Sequence, residues 1–126
     1  MRLLIDTHAL LWALGAPARL PISVRDALRT PSNTVYVSAA SVWELAIKVA
    51  LGKVSADIGE VAAAAADVGF EGLSVTIAHA QRVRRLPDHH RDPFDRVLIA
   101  QAVEEGLTVV TRDRAFAEYP VQVMWG

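Results

Sequence analysis

Apolar residues in this chain fall into short continuous runs separated by helical repeats, not into the strict alternation of a half-solvated sheet. Leu3-Leu4-Ile5, Val35-Tyr36-Val37 and Leu107-Thr108-Val109-Val110 read as strands apolar on both faces. The pattern predicts strands at Arg2–Ile5, Thr34–Ser38, 73–75, 107–111 and 121–125. It predicts helices at 7–14, closed by Gly15, and at 24–29, capped by Ser23 and stopped by Pro31. Further helices are expected at 39–51, ended by Gly52, at 57–68 with Asp57 as cap, and at 76–86, ended by Pro87. Asp92 reads as an N-cap with Pro93 at the first helical position, and the helix Pro93–Glu105 stops at Gly106. Residues 113–118 form a helical turn. In the helix after the second strand, Val42, Trp43, Leu45, Ala46, Ile47 and Val49 cover most of the circumference, so it is buried on more than one side. Strand and helix alternating in this way indicate an α/β fold, a mostly parallel sheet of about five strands with helices on both faces. In such sheets sites lie beyond the carboxyl ends of the strands.

Composition narrows the class. The 126 residues predict one domain, 1–126, able to bury roughly two thirds of its unfolded surface. The absence of cysteine excludes disulfide scaffolds, thiolate metal sites and cysteine nucleophiles together. With 13 basic against 14 acidic residues the chain is not a strongly basic nucleic-acid-binding domain, so attraction to a polyanion has to be local. All the basic residues except Lys48 and Lys53 are arginines, whose forks suit phosphate and carboxylate. Met1-Arg2-Leu3-Leu4-Ile5-Asp6 is too short an apolar stretch for a signal peptide, and no run approaches a membrane span. A cytoplasmic domain without membrane contact is expected.

Four acids change the picture. Asp6 ends the first strand, Glu44 lies in the helix after the second, Asp95 sits in the first turn of its helix, and Asp113 follows the fourth strand. Strand ends and helix starts converge on one edge of a parallel sheet, so the four carboxylates are expected around one cavity. Unpaired, they would repel and raise each other's pKa values. A hard divalent cation resolves that repulsion, and oxygen-only ligands favour magnesium or manganese over zinc. Each acid also has a plainer reading. Asp6 and Asp113 can be caps, Glu44 can form a surface pair with Lys48, and Asp95 can be the capping partner of Asp92. It is the conjunction at one edge that argues for a shared site.

The motifs themselves carry a resemblance. Leu4-Ile5-Asp6-Thr7-His8-Ala9-Leu10-Leu11-Trp12 resembles the opening of bacterial PIN-domain proteins, particularly VapC-type toxins of toxin–antitoxin pairs. Ser38-Ala39-Ala40-Ser41-Val42-Trp43-Glu44-Leu45 is similar to their second motif, the segment from Arg91 to Ala102 to the third, and Val110-Thr111-Arg112-Asp113-Arg114-Ala115-Phe116 to the fourth. The resemblance runs over nearly the whole chain. It implies a PIN-like fold and a Mg²⁺- or Mn²⁺-dependent endoribonuclease whose acids are Asp6, Glu44, Asp95 and Asp113. It also implies a homodimer and inhibition by a small VapB-like antitoxin. Some relatives carry another acid at the position of Ala115, so a second cation would be less well held here.

Roles follow as expectations. Asp6, Asp95 and Asp113 hold the cation, and Glu44 completes the shell or orients the attacking water. Thr7 and Thr111 hold a water or a carboxylate, or only satisfy backbone groups. Ser41 stands behind Glu44 or merely caps its helix, and Asp92 supports the site from its capping position. Arg96, Arg112 and Arg114 bind incoming phosphates or neutralise the acids. Arg82, Arg84, Arg85 and Arg91, with His89 and His90, form a basic segment that is either an RNA track or a solvated face. His8 is expected to pack, His89 and His90 receive no role, and Trp12, Trp43 and Trp125 are assigned to core or interface. Two other site classes fail on spacing. A receiver-type domain needs a lysine near a late strand, and a haloacid-dehalogenase-type phosphatase needs an acid where His8 stands. The remaining alternatives are a non-catalytic PIN-fold module that binds RNA or antitoxin, and a DNA-directed nuclease of the same superfamily. The compact length, without an inserted arch, disfavours the latter.

Overall fold

Leu3, Leu4 and Ile5 are each fully buried in succession, and the strand they form, β1 (Arg2–Ile5), lies at the centre of a five-stranded sheet in the computed structural model of residues 1–126. A strand in that position has to be apolar on both faces, which is what the continuous run encodes. Leu3 and Ile5 pack with Val35, Val37 and Val110 on one face; Leu4 packs with Leu98, Ile99, Val109 and Phe116 on the other.

The order is β3-β2-β1-β4-β5, with every pairing parallel. The other strands are β2 (Thr34–Ser38), β3 (Glu71–Leu73), β4 (Thr108–Val110) and β5 (Gln122–Met124). The helices are α1 (Thr7–Gly15), α2 (Ile22–Arg29), α3 (Ala39–Ala50), α4 (Ile58–Asp67), α5 (Ile77–Arg85) and α6 (Pro93–Glu105), with 3-10 turns at Pro17–Arg19 and Arg114–Glu118. Residues of α1, α2 and α4 cover one face of the sheet, and those of α6 and the second 3-10 turn cover the other. This is the expected α/β architecture. Ile5 is level with Val37 on one side and Val110 on the other, so the carboxyl ends of β1, β2 and β4 open at one height. The strand order reverses between β1 and β4, and their ends form the switch point where open α/β sheets bind ligands.

Two boundaries depart from the sequence reading. Helix α2 begins at Ile22, directly after Pro21, and Ser23 lies inside it, making no cap. The proline presets a φ of −54°, so no side-chain acceptor is needed to start the turn. Strand β3 is Glu71–Leu73, not 73–75, because its register on β2 pairs Tyr36 with Glu71 and Ser38 with Leu73. As an edge strand it tolerates the glutamate and glycine that made it look like a turn. Helix α6 is bounded as expected: the Asp92 carboxylate accepts from the N–H groups of Phe94 and Asp95 at 2.8 and 3.0 Å, and Gly106 turns the chain with φ +66°. No helix is long and apolar enough to cross a membrane.

Candidate active site

At the end of β1 the Asp6 carboxylate is nearly buried and makes two bonds. Oδ1 accepts from Ala9 N–H at 2.8 Å, capping α1, and Oδ2 accepts from the Thr111 hydroxyl at 2.6 Å. Asp6 is thus a cap and a member of the acidic edge at once. Burial pushes its carboxyl above the ordinary range. The Thr111 and Ala9 bonds and His8 pull it back, and Asp113 adds to the rise. Thr111 is shared: its oxygen also accepts from Asp113 N–H at 3.0 Å, so one hydroxyl ties two acids on adjacent strands. Asp113 in turn caps the 3-10 turn through Ala115 N–H at 2.9 Å.

Glu44 forms the expected pair with Lys48, at 2.6 Å, yet it is not a surface pair: Glu44 is only 5% exposed. Its second oxygen accepts from the Thr7 hydroxyl at 2.8 Å. Lys48 is pushed upward chiefly by its hydrogen bond to Glu44. Ser41, expected behind Glu44, is buried but its hydroxyl makes no hydrogen bond; Thr7 fills that role.

The feature the sequence reading left unassigned is His90. Its Nδ1 accepts from Asp92 N–H at 3.2 Å, which leaves the ring proton on Nε2. Nε2 lies 3.0 Å from Asp95 Oδ2 and 2.9 Å from Asp113 Oδ2, between the two carboxylates. The loop that carries it is held by Tyr119, whose hydroxyl accepts from the N–H groups of His89 and His90 and donates to Pro87 O at 2.7 Å. Asp95 is pushed up to about 7, first by burial and then by Asp92, with Glu44 and Asp6 adding and His90 opposing. Carboxylates from β1, α3 and α6 therefore act on one another, and Asp113 acts on Asp6, as the topology required.

The arginines divide. Arg112 and Arg114 line a cleft of about 460 Å³ together with Asp6 and Asp113. Arg96, which follows Asp95 directly, does not act there. Its guanidinium donates to the carbonyls of Val83, Pro87, Leu86 and His90 at 2.9 to 3.3 Å, fastening the loop before α6. Sequence adjacency misleads here because successive helical residues point about 100° apart. Arg85 lines a different depression on α5, with Ile77 and Arg84, that shares no residue with the acid cleft. Arg91 is exposed and makes no ion pair.

His90, Asp95 and Asp113 each bring a ligand atom within 4.8 Å of the others. The Nε2 proton fills the space between the two carboxylates, and a divalent cation there would take its place. The donors are oxygen-rich, one imidazole is placed among them, and Asp6 and Glu44 add negative charge behind. The set fits a hard divalent cation.

The PIN-domain family model matches residues 3–122. In fold the chain is similar to VapBC2 from Rickettsia felis bound to a DNA fragment from their promoter, with a TM-score of 0.76 and 17% identity over 100% of both chains. It is similar to DNA-bound VapBC from Salmonella typhimurium, with a TM-score of 0.72 and 18% identity over 98% of this chain and 97% of that one. It also resembles VapBC-5, a member of the VapBC family of toxin–antitoxin systems, from Mycobacterium tuberculosis, with a TM-score of 0.63 and 23% identity over 99% and 98%. No curated protein matches the chain in sequence. At these identities the structural likenesses speak for the fold, whereas the family match spans almost every residue from β1 to β5. The chain belongs to the PIN-domain family.

Proposed function

We propose that this protein is a divalent-metal-dependent endoribonuclease, the VapC-type toxin of a toxin–antitoxin pair, held inactive by a small VapB-like antitoxin. The observation that carries the reading is the placement of His90 Nε2 between the carboxylates of Asp95 and Asp113, where burial and Asp92, with smaller contributions from Glu44 and Asp6, push Asp95 up to about 7. Such a concentration of carboxylates destabilises a cation-free protein, and it suits one that binds Mg²⁺ or Mn²⁺. The solved structures it resembles are VapBC complexes, which supports an antitoxin partner. The reading includes a homodimer working in the cytoplasm.

Asp95 and Asp113 would hold the cation, with Asp6 and Glu44 supplying charge around it. A bound divalent cation lowers the pKa of water and offsets charge that builds on the phosphate oxygens. Glu44, held by Lys48 and aimed by Thr7, orients the attacking water. Water oxygen joins phosphorus and gives up a proton to solvent, the bond to the leaving oxygen breaks, and that oxygen takes up a proton from solvent. His90, with its Nε2 proton between Asp95 and Asp113, would keep these two carboxylates apart and in position until the cation binds. Thr111 keeps Asp6 and Asp113 in register while this happens.

Purified protein incubated with single-stranded RNA tests the reading. Cleavage is expected with Mg²⁺ or Mn²⁺, is expected to stop in EDTA, and is expected to fall by roughly a hundredfold or more in Asp95→Asn. Undiminished cleavage by Asp95→Asn or in EDTA contradicts it.

A further inference from the structure

Trp12 on α1 and Trp125, just beyond β5, meet with ring centroids 6.0 Å apart and planes inclined at 48°. Both are half-buried: each packs on the apolar cluster around Leu3 and Ile5 and keeps part of its ring at the surface. That part is a wall of the same 460 Å³ cleft that holds Asp6 and Asp113. A second cleft of about 280 Å³ shares Trp12, Arg112 and Trp125 with the first and adds Arg19 and Pro21. The tryptophan pair therefore stands between the carboxylates and an outer groove. The Arg19 guanidinium lies over the Trp12 ring at 5.3 Å, and His8 adds a third ring 6.2 Å from Trp12.

The charges at this place are unbalanced. Arg19, Arg112 and Arg114 are exposed, and none of them forms an ion pair or donates a side-chain hydrogen bond within the protein. In a chain of net charge −1 this is a local positive field beside a negative centre.

We propose that this aromatic and guanidinium cleft is a nucleotide subsite. One unstacked base of a single-stranded RNA lies against Trp12 and Trp125, while Arg112 and Arg114 hold the phosphates that lead to the carboxylates. The inference rests on the ribonuclease reading and names the form of its substrate. Every base presents a π face, so stacking on tryptophan tolerates any sequence, and a guanidinium plane such as that of Arg19 extends the stack. The cleft volume lies within the roughly 300–1,000 Å³ of small-ligand pockets. A duplex keeps its bases stacked on one another and cannot offer one to the pair. A cationic peptide reaching for the acids would meet three unpaired guanidiniums first, which disfavours a protein segment as the occupant.

The test uses Trp43→Phe, which removes the exposed tryptophan of α3, so that fluorescence reports Trp12 and Trp125; Asp95→Asn is added to prevent cleavage. A hexanucleotide RNA is titrated in Mg²⁺ beside a hexamer of equal charge whose residues are abasic. The base-bearing chain is expected to quench the fluorescence and to bind about tenfold more tightly than the abasic one. Arg112→Gln with Arg114→Gln is expected to weaken both alike and to flatten the salt dependence, and Trp12→Leu to close the gap between them. Equal affinity for the two hexamers without quenching overturns the subsite, and if the wild type still cleaves RNA the ribonuclease reading survives it. Loss of both binding and cleavage overturns both. Equal quenching by an acidic hexapeptide assigns the cleft to a protein partner and overturns the nucleotide assignment.

Discussion

The Thr111 hydroxyl donates to Asp6 Oδ2 at 2.6 Å across 105 residues of sequence, while accepting the Asp113 N–H. Both residues sit just past the ends of neighbouring parallel strands, so the fold brings them together through the pairing of Ile5 with Val110. Burial raises the Asp6 carboxyl and this hydrogen bond opposes the rise more than any other contact.

Thr111→Val keeps the shape and removes that bond. Unfolding by urea in EDTA is expected to give a loss of about 1–3 kcal/mol with an unchanged m-value. Cation affinity is expected to fall as well, because Asp6 then holds its proton to higher pH. An unchanged midpoint with unchanged cation affinity would leave Thr111 without the role assigned to it.

The Asp95 carboxyl is raised from 3.8 to about 7 in the folded, cation-free protein. A raised folded-state value contributes stability that is full below the unfolded value and is lost as pH rises through the folded one. The protein in EDTA is therefore expected to be less stable at pH 8 than at pH 5, and Asp6 adds to the same trend. Mg²⁺ acts in the opposite direction, since its binding displaces the proton: its apparent affinity is expected to fall by up to about tenfold per pH unit below 7. Urea midpoints at the two pH values, with and without Mg²⁺, check both signs.

His90→Ala removes the proton donor between Asp95 and Asp113 and leaves the two carboxylates facing each other. The variant is expected to melt lower than the wild type in EDTA near pH 8 and to gain more from Mg²⁺. Thermal melts in the two conditions measure the difference. A variant that gains less than the wild type would identify His90 as an essential ligand and not a placeholder.

Arg96→Lys replaces a fork that reaches several backbone carbonyls with a single ammonium. A loss of about 2 kcal/mol is expected, with cleavage per folded molecule little changed. A variant of wild-type stability that no longer bound RNA would instead place Arg96 at the phosphates.

Much of the architecture was legible in the residues. The two-sided apolar runs around Leu4, Tyr36 and Val109 specified a parallel sheet covered on both faces, and Asp92, Pro93 and Gly106 fixed the bounds of α6. Asp6, Glu44, Asp95 and Asp113 were recognisable because strand ends and helix starts share an edge. What could not be read locally was tertiary. His90 stands in a loop without periodicity, and its position depends on Tyr119, which lies 29 residues further on. Arg96 is turned from the cleft by the helix, although it adjoins Asp95 in sequence. Strand β3 was misplaced because an edge strand is specified by its partner, and Glu71-Gly72 carries no strand pattern of its own. Trp12 and Trp125 read as core or interface residues because their apolar surroundings are visible in sequence and the cleft they border is not.

The central claim is that these carboxylates cut RNA. Its most direct test is end-mapping of total cellular RNA after induction of the wild type and of Asp95→Asn at equal protein level. New RNA ends are expected with the wild type and none above background with the variant. Identical sets of ends in both, or no new ends in either, would contradict it.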